Sequence, residues 1–278
     1  MERFIGSFFE NEKIEYFAST AISSEYVGIP RKLPPYAKYV TIFLIPYKTD
    51  VSDRNVSYYA VPRDYHFYIK ELQKRLCDFL EKNGINEKAE IFADNSPFLE
   101  RKLACDLGLG FVGKNGLIIN EKYGSYVFIG EILLPFEAEC EKGKITSCAE
   151  CGLCVSACPT GALKGQGECL SSLTQKKRLT PEEEEVIFRS GMQWGCDICQ
   201  KVCPMSKNKK KTAIPEFSGK TVSEITEFDT ENLSDGEIKE LYADRAFLWR
   251  GAAVLRRNEA ISKGGLSSGV CKNQNGGK

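Results

Sequence analysis

Four cysteines stand in the run Cys148-x2-Cys151-x2-Cys154-x3-Cys158, and Pro159 follows the last of them. Three thiols at such short intervals can cap three irons of one cubane, while the fourth points away and the proline turns the chain behind it. A second group, Cys196-x2-Cys199-x3-Cys203-Pro204, repeats the Cys-x3-Cys-Pro ending, and Cys169 between the groups supplies an eighth thiol. Zinc also takes Cys-x2-Cys pairs. A pair of zinc knuckles does not account for the x2, x2 ladder followed by x3 and Pro, so the pattern is read as iron–sulfur.

The first run has the spacing of bacterial ferredoxins, in which the fourth cysteine ligates the other cluster. Crossed ligation makes the count complete. Cys148, Cys151, Cys154 and Cys203 are expected to hold one [4Fe–4S] cluster, and Cys158, Cys169, Cys196 and Cys199 the other. Of the remaining four among twelve cysteines, Cys77 lies on an apolar helical face and is expected in the core. Packing is also favoured for Cys105 and Cys140, and Cys271 is incidental in a polar tail.

A two-cluster module needs about 60 residues, and the chain has 278. The rest must house something else. Hydrophobic residues make up 42% and the net charge is zero, so a sizeable core is possible and no global field draws the chain to nucleic acid. No apolar run approaches the roughly 20 residues of a membrane span, and residues 1–4 do not begin a signal peptide. A cytoplasmic protein without a membrane partner is expected, and in that compartment the cysteines are not disulfides.

Strands are expected over 36–47, 90–93, 116–120 and 125–134, the last two joined by a turn at Lys122-Tyr123-Gly124. Helices are expected over 64–82, with Asp64 as N-cap, and over 98–107. The insertion 176–195 carries Pro181 and the acids 182–185, which suit a first turn. Residues 234–263 read as helical, opened by Ser234 with Glu237 three residues on. The expected class is α+β: an α/β domain over 1–143, a ferredoxin-like module over 144–206, a helical segment over 207–263 and a disordered tail over 264–278.

Ordinary catalytic signatures are missing. The single histidine, His66, excludes a His-rich metal site and reads as a packing residue on its helix. Gly108-Leu109-Gly110-Phe111-Val112-Gly113-Lys114-Asn115 lacks phosphate-loop spacing. Together with Asp64-Tyr65-His66, Asp94-x2-Pro97-x2-Glu100-Arg101, Gly124-Ser125-Tyr126, Gly130-Glu131 and both cysteine groups, it resembles the epoxyqueuosine reductase family over roughly residues 36–206.

That resemblance implies a function. In the family, clusters deliver single electrons to cobalamin held base-off over the N-terminal domain, and reduced cobalt converts epoxyqueuosine in tRNA to queuosine with loss of water. A carboxylic acid near the cobalt is the expected proton donor. Asp94 matches the family's aspartate, although on its own it reads as a turn residue or N-cap. Lys114, Asn115, Ser125 and Tyr126 are expected along the corrin, with Ser171 and Ser172 facing it from the cluster side. The Cys158/Cys169 cluster is expected to be the nearer one. The implied partners are the tRNA anticodon loop and an external low-potential electron donor.

The family usually continues into helical repeats that grip tRNA, whereas here only 244–258 resembles their start. Its arginines, and the basic run 207–211, are candidates for phosphate contact or for a solvated face. Another corrinoid-dependent reductase, dehalogenase-like, and a non-catalytic electron carrier remain as alternatives.

Overall fold

A computed structural model describes residues 4–52, 54–138 and 147–264, and the side chains of 4, 227 and 228 are not described. Cys140, Cys271 and nearly all of the expected tail lie outside the described residues. So does the expected boundary near 143.

The strands are β1 (Phe17–Ala21), β2 (Tyr39–Pro46), β3 (Glu90–Phe92), β4 (Phe111–Val112), β5 (Ile118–Ile119) and β6 (Val127–Leu134). The helices are α1 (Phe4–Asn11), α2 (Tyr65–Lys82), α3 (Glu100–Asp106), α4 (Leu153–Ala157), α5 (Leu170–Leu173), α6 (Pro181–Ser190), α7 (Ile198–Lys201), α8 (Pro215–Ser218), α9 (Glu227–Glu231), α10 (Asp235–Leu241) and α11 (Ala252–Ser262). The main sheet has the order β1-β2-β6-β3 and every pairing is antiparallel. The first domain is therefore α+β in character rather than α/β.

Strand alternation divides β2 between two cores. Phe43 and Ile45 pack with α1 and α2, through Phe8, Phe9, Tyr68, Leu72 and Leu76. Val40, Ile42 and Leu44 pack with α3, through Leu103 and Ala104. Burial on both faces explains why β2 reads as one apolar run. In β6, Ile132 and Leu134 join the first core, and Val127 and Leu133 the second. Glu131 has the parity of Val127 and Leu133 and so belongs to the face toward α3. At Gly130 an added Cβ would lie 2.4 Å from the Phe43 ring, so the central pair of strands closes only over a glycine.

One expected hairpin is absent. β5 pairs with β4 as a separate two-stranded sheet, and β6 pairs with β2 and β3. Asn120 and Gly124 still bridge at the turn. Beyond it Val127 onward finds long partners in the core, while Ile118 and Ile119 are captured by Phe111 and Val112. Long-range burial overrides a local hairpin preference.

Helix boundaries follow their capping chemistry. The Asp64 side chain accepts the His66 backbone N–H at 2.9 Å and opens α2. Thr180 with Glu183, and Ser234 with Glu237, form complete capping boxes at α6 and α10. The expected helical stretch 234–263 is two α-helices: α10 ends at Leu241, a single 3-10 turn spans Ala246–Leu248, and Gly251 at φ 87 precedes α11. Two corrections concern α2. Its buried face is Tyr65, Tyr68, Leu72, Leu76 and Leu80, which turns Cys77 outward into solvent, against expectation. His66 is not in the core either: its side chain is 58% exposed, its ring lies against that of Tyr65 at 4.2 Å between centroids, and Nδ1 is 2.8 Å from Asp64 Oδ1. Cys105 is half-buried against the second core.

A third core ties the segments together. Val56, Ala60 and Val61 meet Trp194, Ile238, Tyr242, Phe247, Val254 and Leu255 there. The Ser57 N–H donates to the Trp194 carbonyl at 2.8 Å, and the Gln193 N–H to the Asn55 carbonyl at 2.7 Å. The C-terminal helices thus brace the joint between the sheet domain and the cysteine module.

Candidate active site

A cavity of about 690 Å³ lies between the sheet domain and the cysteine module. That is within the range of small-molecule and cofactor sites. Cys158, Cys169, Cys196 and Cys199 border it from the module side, while Asp94, Glu100, Asn115, Ser125 and Phe128 border it from the sheet domain. Leu117, Ile118, Val127, Ile129, Leu163 and Leu170 make most of its wall apolar. A second, small cavity is bordered by Cys148, Cys151, Cys154 and Cys203. The eight thiols therefore divide between two cavities in the two sets that crossed ligation requires.

The donor chemistry fits iron–sulfur clusters. Among the described residues no three or more His, Cys, Asp or Glu converge on a single-ion site; the thiols surround spaces instead. Burial pushes the thiols of Cys196 and Cys199 up, to about 11 and about 12, so cluster insertion must displace their protons. Cys158 is drawn the other way: burial opposes its ionisation, but hydrogen bonds led by the Thr160 hydroxyl lower it.

Asp94 sits at the head of a strained turn. Its φ is 64°, and the Asn95 N–H donates across it to the Ala93 carbonyl at 2.8 Å. That is a γ-turn of the rare positive-φ form, the kind of strain that surrounding structure must hold in place. Tyr65 holds the side chain: its hydroxyl donates to Asp94 Oδ2, and its ring stacks on Phe128 at 4.3 Å between centroids. Lys32 donates to Asn95, and the Gly28 and Ile29 N–H groups donate to the Pro97 carbonyl at 2.9 Å each. Asp94 is open to the cavity, yet partial burial of its carboxyl, with Asp64 nearby, raises its pKa.

Two further acids stand behind it. Glu100 opens α3 on the cavity wall, and burial followed by the Asp94 charge pushes its carboxyl up to about 7. Glu131 is fully buried, and burial with Glu100 beside it holds its carboxyl well above the ordinary range. The Ser96 hydroxyl donates to Glu131 Oε1 at 3.3 Å. Both acids lie in the quoted motifs, but nothing in the sequence alone gave them a role; the signal was an acid at a core parity in β6.

The expected corrin contacts separate into two groups. Asn115, Ser125 and Ser171 line the large cavity. Asn115 Nδ2 is buried without a partner, a donor free for a bound group. Ser125 Oγ donates to Gln200 Oε1 at 2.9 Å, and Tyr47 donates to the same oxygen at 3.3 Å. Lys114, Tyr126 and Ser172 are placed off that wall. Lys114 borders the small cavity and pairs with Glu150 at 3.5 Å. Tyr126 is buried behind the wall, its ring against Tyr47 and Tyr58, and the Ser172 hydroxyl turns to Glu168.

Arginines near the C-terminus mostly serve the fold. Arg245 donates to the Val61 and Lys220 carbonyls, Arg256 to those of Thr230 and Leu233, and Arg257 to those of Lys176 and Thr174. Arg250 and Trp249 stay exposed, stacked at 3.6 Å. In the basic run, Lys210 and Lys211 pair with Glu15 and Asp50.

Comparison with known proteins places this architecture. A family model described as a 4Fe-4S double cluster binding domain matches residues 147–206, and one described as "Epoxyqueuosine reductase QueG, DUF1730" matches residues 29–95. The epoxyqueuosine reductase of Lactococcus garvieae is 32% identical over 225 residues, covering 79% of this chain and 64% of that protein. The one from Prochlorococcus marinus is 32% identical over 231 residues, covering 80% and 74%. A crystal structure of epoxyqueuosine reductase with a tRNA-Tyr epoxyqueuosine-modified stem loop superposes with a TM-score of 0.78 at 26% identity, covering 94% of this chain and 80% of that one. The chain spans less than two thirds of the length of the first of these relatives. No helix among the described residues is long and apolar enough to cross a membrane. With a double 4Fe-4S cluster binding domain joined to the reductase sheet domain, this chain belongs to the epoxyqueuosine reductase family.

Proposed function

We propose that this chain is an oxidoreductase that reduces epoxyqueuosine to queuosine in tRNA. One observation carries the reading: Asp94 and the thiols of Cys158, Cys169, Cys196 and Cys199 line the same cavity. A redox group bound there stands between an electron source and an acid.

The residues fit base-off cobalamin. The wall is broad and apolar, with the Asn115 amide and the Ser125 and Gln200 side chains as polar points. The chain's one histidine, His66, is not on it, so no protein imidazole is offered to cobalt. When bound, the corrin supplies a strongly reducing metal centre at the cavity. The chain's own part is to hold [4Fe–4S] clusters on the two cysteine sets, exclude water with the apolar wall, and present the Asp94 carboxyl. Tyr65 fixes that carboxyl, and burial with Asp64 nearby raises the pKa of Asp94, the direction that suits a group giving a proton to the oxygen that leaves. The anticodon loop carrying the modified base is the proposed substrate, and an external low-potential protein the electron donor.

The test is direct. Protein reconstituted anaerobically with iron, sulfide and cobalamin is given epoxyqueuosine-containing tRNA and a reductant, and the digested nucleosides are analysed by mass spectrometry. Queuosine is expected, and its absence rejects the reading.

A further inference from the structure

Deoxygenation of the epoxide breaks both of its C–O bonds. It consumes two electrons, here from the external one-electron donor, and two protons, and it releases one water. Asp94 accounts for one proton. We infer that Glu100 is the second acid of the site, giving its carboxyl proton to the departing oxygen in the same cavity as Asp94. This rests on the reaction proposed above.

The geometry supports it in three ways. Glu100 and Asp94 line one cavity and sense each other's charge. Glu100 Oε1 is buried without a hydrogen-bond partner, while the Ser96 hydroxyl bonds the carboxyl and opposes part of the upward shift. Behind it, Glu131 is 0% exposed and its Oε2 also lacks a partner. Groups acting on Glu131 are Glu100, Ser96 and Asp94, with no cation among them. A carboxyl so placed stays neutral, which makes Glu131 a positioning residue: the Ser96 hydroxyl joins it to the turn that carries Asp94.

Charge balance follows from the same arrangement. Asp94 and Glu100 each pass one proton to the oxygen, which leaves as water, and two carboxylates remain side by side. Arg101 opposes only part of that repulsion at Glu100, Tyr65 supports Asp94, and Asp64 adds to the negative charge. Like charges in a low-dielectric wall favour prompt reprotonation once the product leaves and water enters. The pair therefore works as a two-proton unit that reloads between turnovers. The upward displacement of Glu100 to about 7 suits a general acid working near neutrality.

The test uses reconstituted wild-type protein and the E100Q, E100D and E131Q variants. Turnover of epoxyqueuosine tRNA by wild type is expected to fall as pH rises past about 7. E100Q is expected to be slower by about 100-fold and to lose that alkaline limb, while E100D restores much of the rate and keeps the limb. E131Q, neutral like the acid it replaces, is expected to keep the limb with a smaller loss of rate. Infrared spectroscopy of the reconstituted protein needs no turnover: a protonated-carboxyl band titrating near pH 7 should be present in wild type and missing in E100Q. E100Q with an unchanged limb overturns the inference, whatever its rate. No such band in wild type also overturns it, even when queuosine forms. A titrating band with no queuosine from wild type rejects the reaction itself instead.

Discussion

Arg54 Nη2 lies 2.8 Å from Asp197 Oδ2 with both side chains almost wholly buried, 2% and 1% exposed. Asp197 stands between Cys196 and Cys199 in the chain, and Arg54 comes from the sheet domain. The Tyr58 N–H and the Gln200 amide complete the carboxylate's hydrogen bonds at 2.9 Å each, and the Arg54 guanidinium lies over the Tyr58 ring. The pair fixes the large cavity's cluster side to its sheet side.

Removing one partner leaves the other charge buried. Arg54→Met is expected to destabilise the protein by about 3–5 kcal/mol. Adding Asp197→Asn should recover part of that loss. Anaerobic urea unfolding of the single and double variants measures both values, and a single variant as stable as wild type contradicts the arrangement.

Asp94→Asn is expected to lower queuosine formation by about 10²–10⁴-fold without changing iron content. Tyr65→Phe frees the Asp94 carboxyl from its donor and should cost less, about tenfold. Single-turnover assays with iron quantified in the same samples check both.

Cys169→Ala removes a thiol from the large cavity only. Reconstituted protein should lose roughly half of its iron and sulfide if each cubane needs its own four ligands. Electron paramagnetic resonance of the reduced variant should show the signal of the remaining cluster, that of the small-cavity set. Full iron content would reject the division of thiols.

Glu100 also gives stability a pH slope. Its folded pKa, about 7, is above its unfolded value near 4.5. The folded state therefore binds the proton more tightly, and this contribution, complete below about pH 4.5, is lost as pH rises through about 7. Glu100→Gln should remove it, so that its melting temperature gains on wild type by a few degrees from pH 5 to pH 8. An unchanged difference across that range contradicts the assignment.

Gly130→Ala places a methyl group against the Phe43 ring. A loss of about 1–3 kcal/mol is expected, read by thermal unfolding.

The sequence made some of this legible and hid the rest for physical reasons. Cysteine spacing is local and chemically narrow, so both thiol sets could be written down before any fold was known. The α2 and α10 starts were visible because caps act within three residues, and the α6 start because its acids suit a first turn. The β5–β6 hairpin failed because the partners of β6 are decided by burial across the whole sheet. Cys77 failed because one helical position separates the core face at Leu76 from solvent. Lys114, Tyr126 and Ser172 adjoin the cavity-lining Asn115, Ser125 and Ser171 in sequence but are not on that wall, because neighbouring positions in sequence do not share a direction. Arg54 carries no local signal at all, because only the fold brings it to Asp197.

The division of thiols between two cavities has a consequence for how the protein is made. The small cavity's set begins at Cys148 but closes only with Cys203, and the large cavity's set closes at Cys199. If these sets are the ligands, a nascent chain emerging from the ribosome cannot complete either cubane until nearly the whole module has been synthesised. Both clusters then mature late, within a few residues of each other, and a chain stalled before residue 199 carries only exposed, oxidisable thiols.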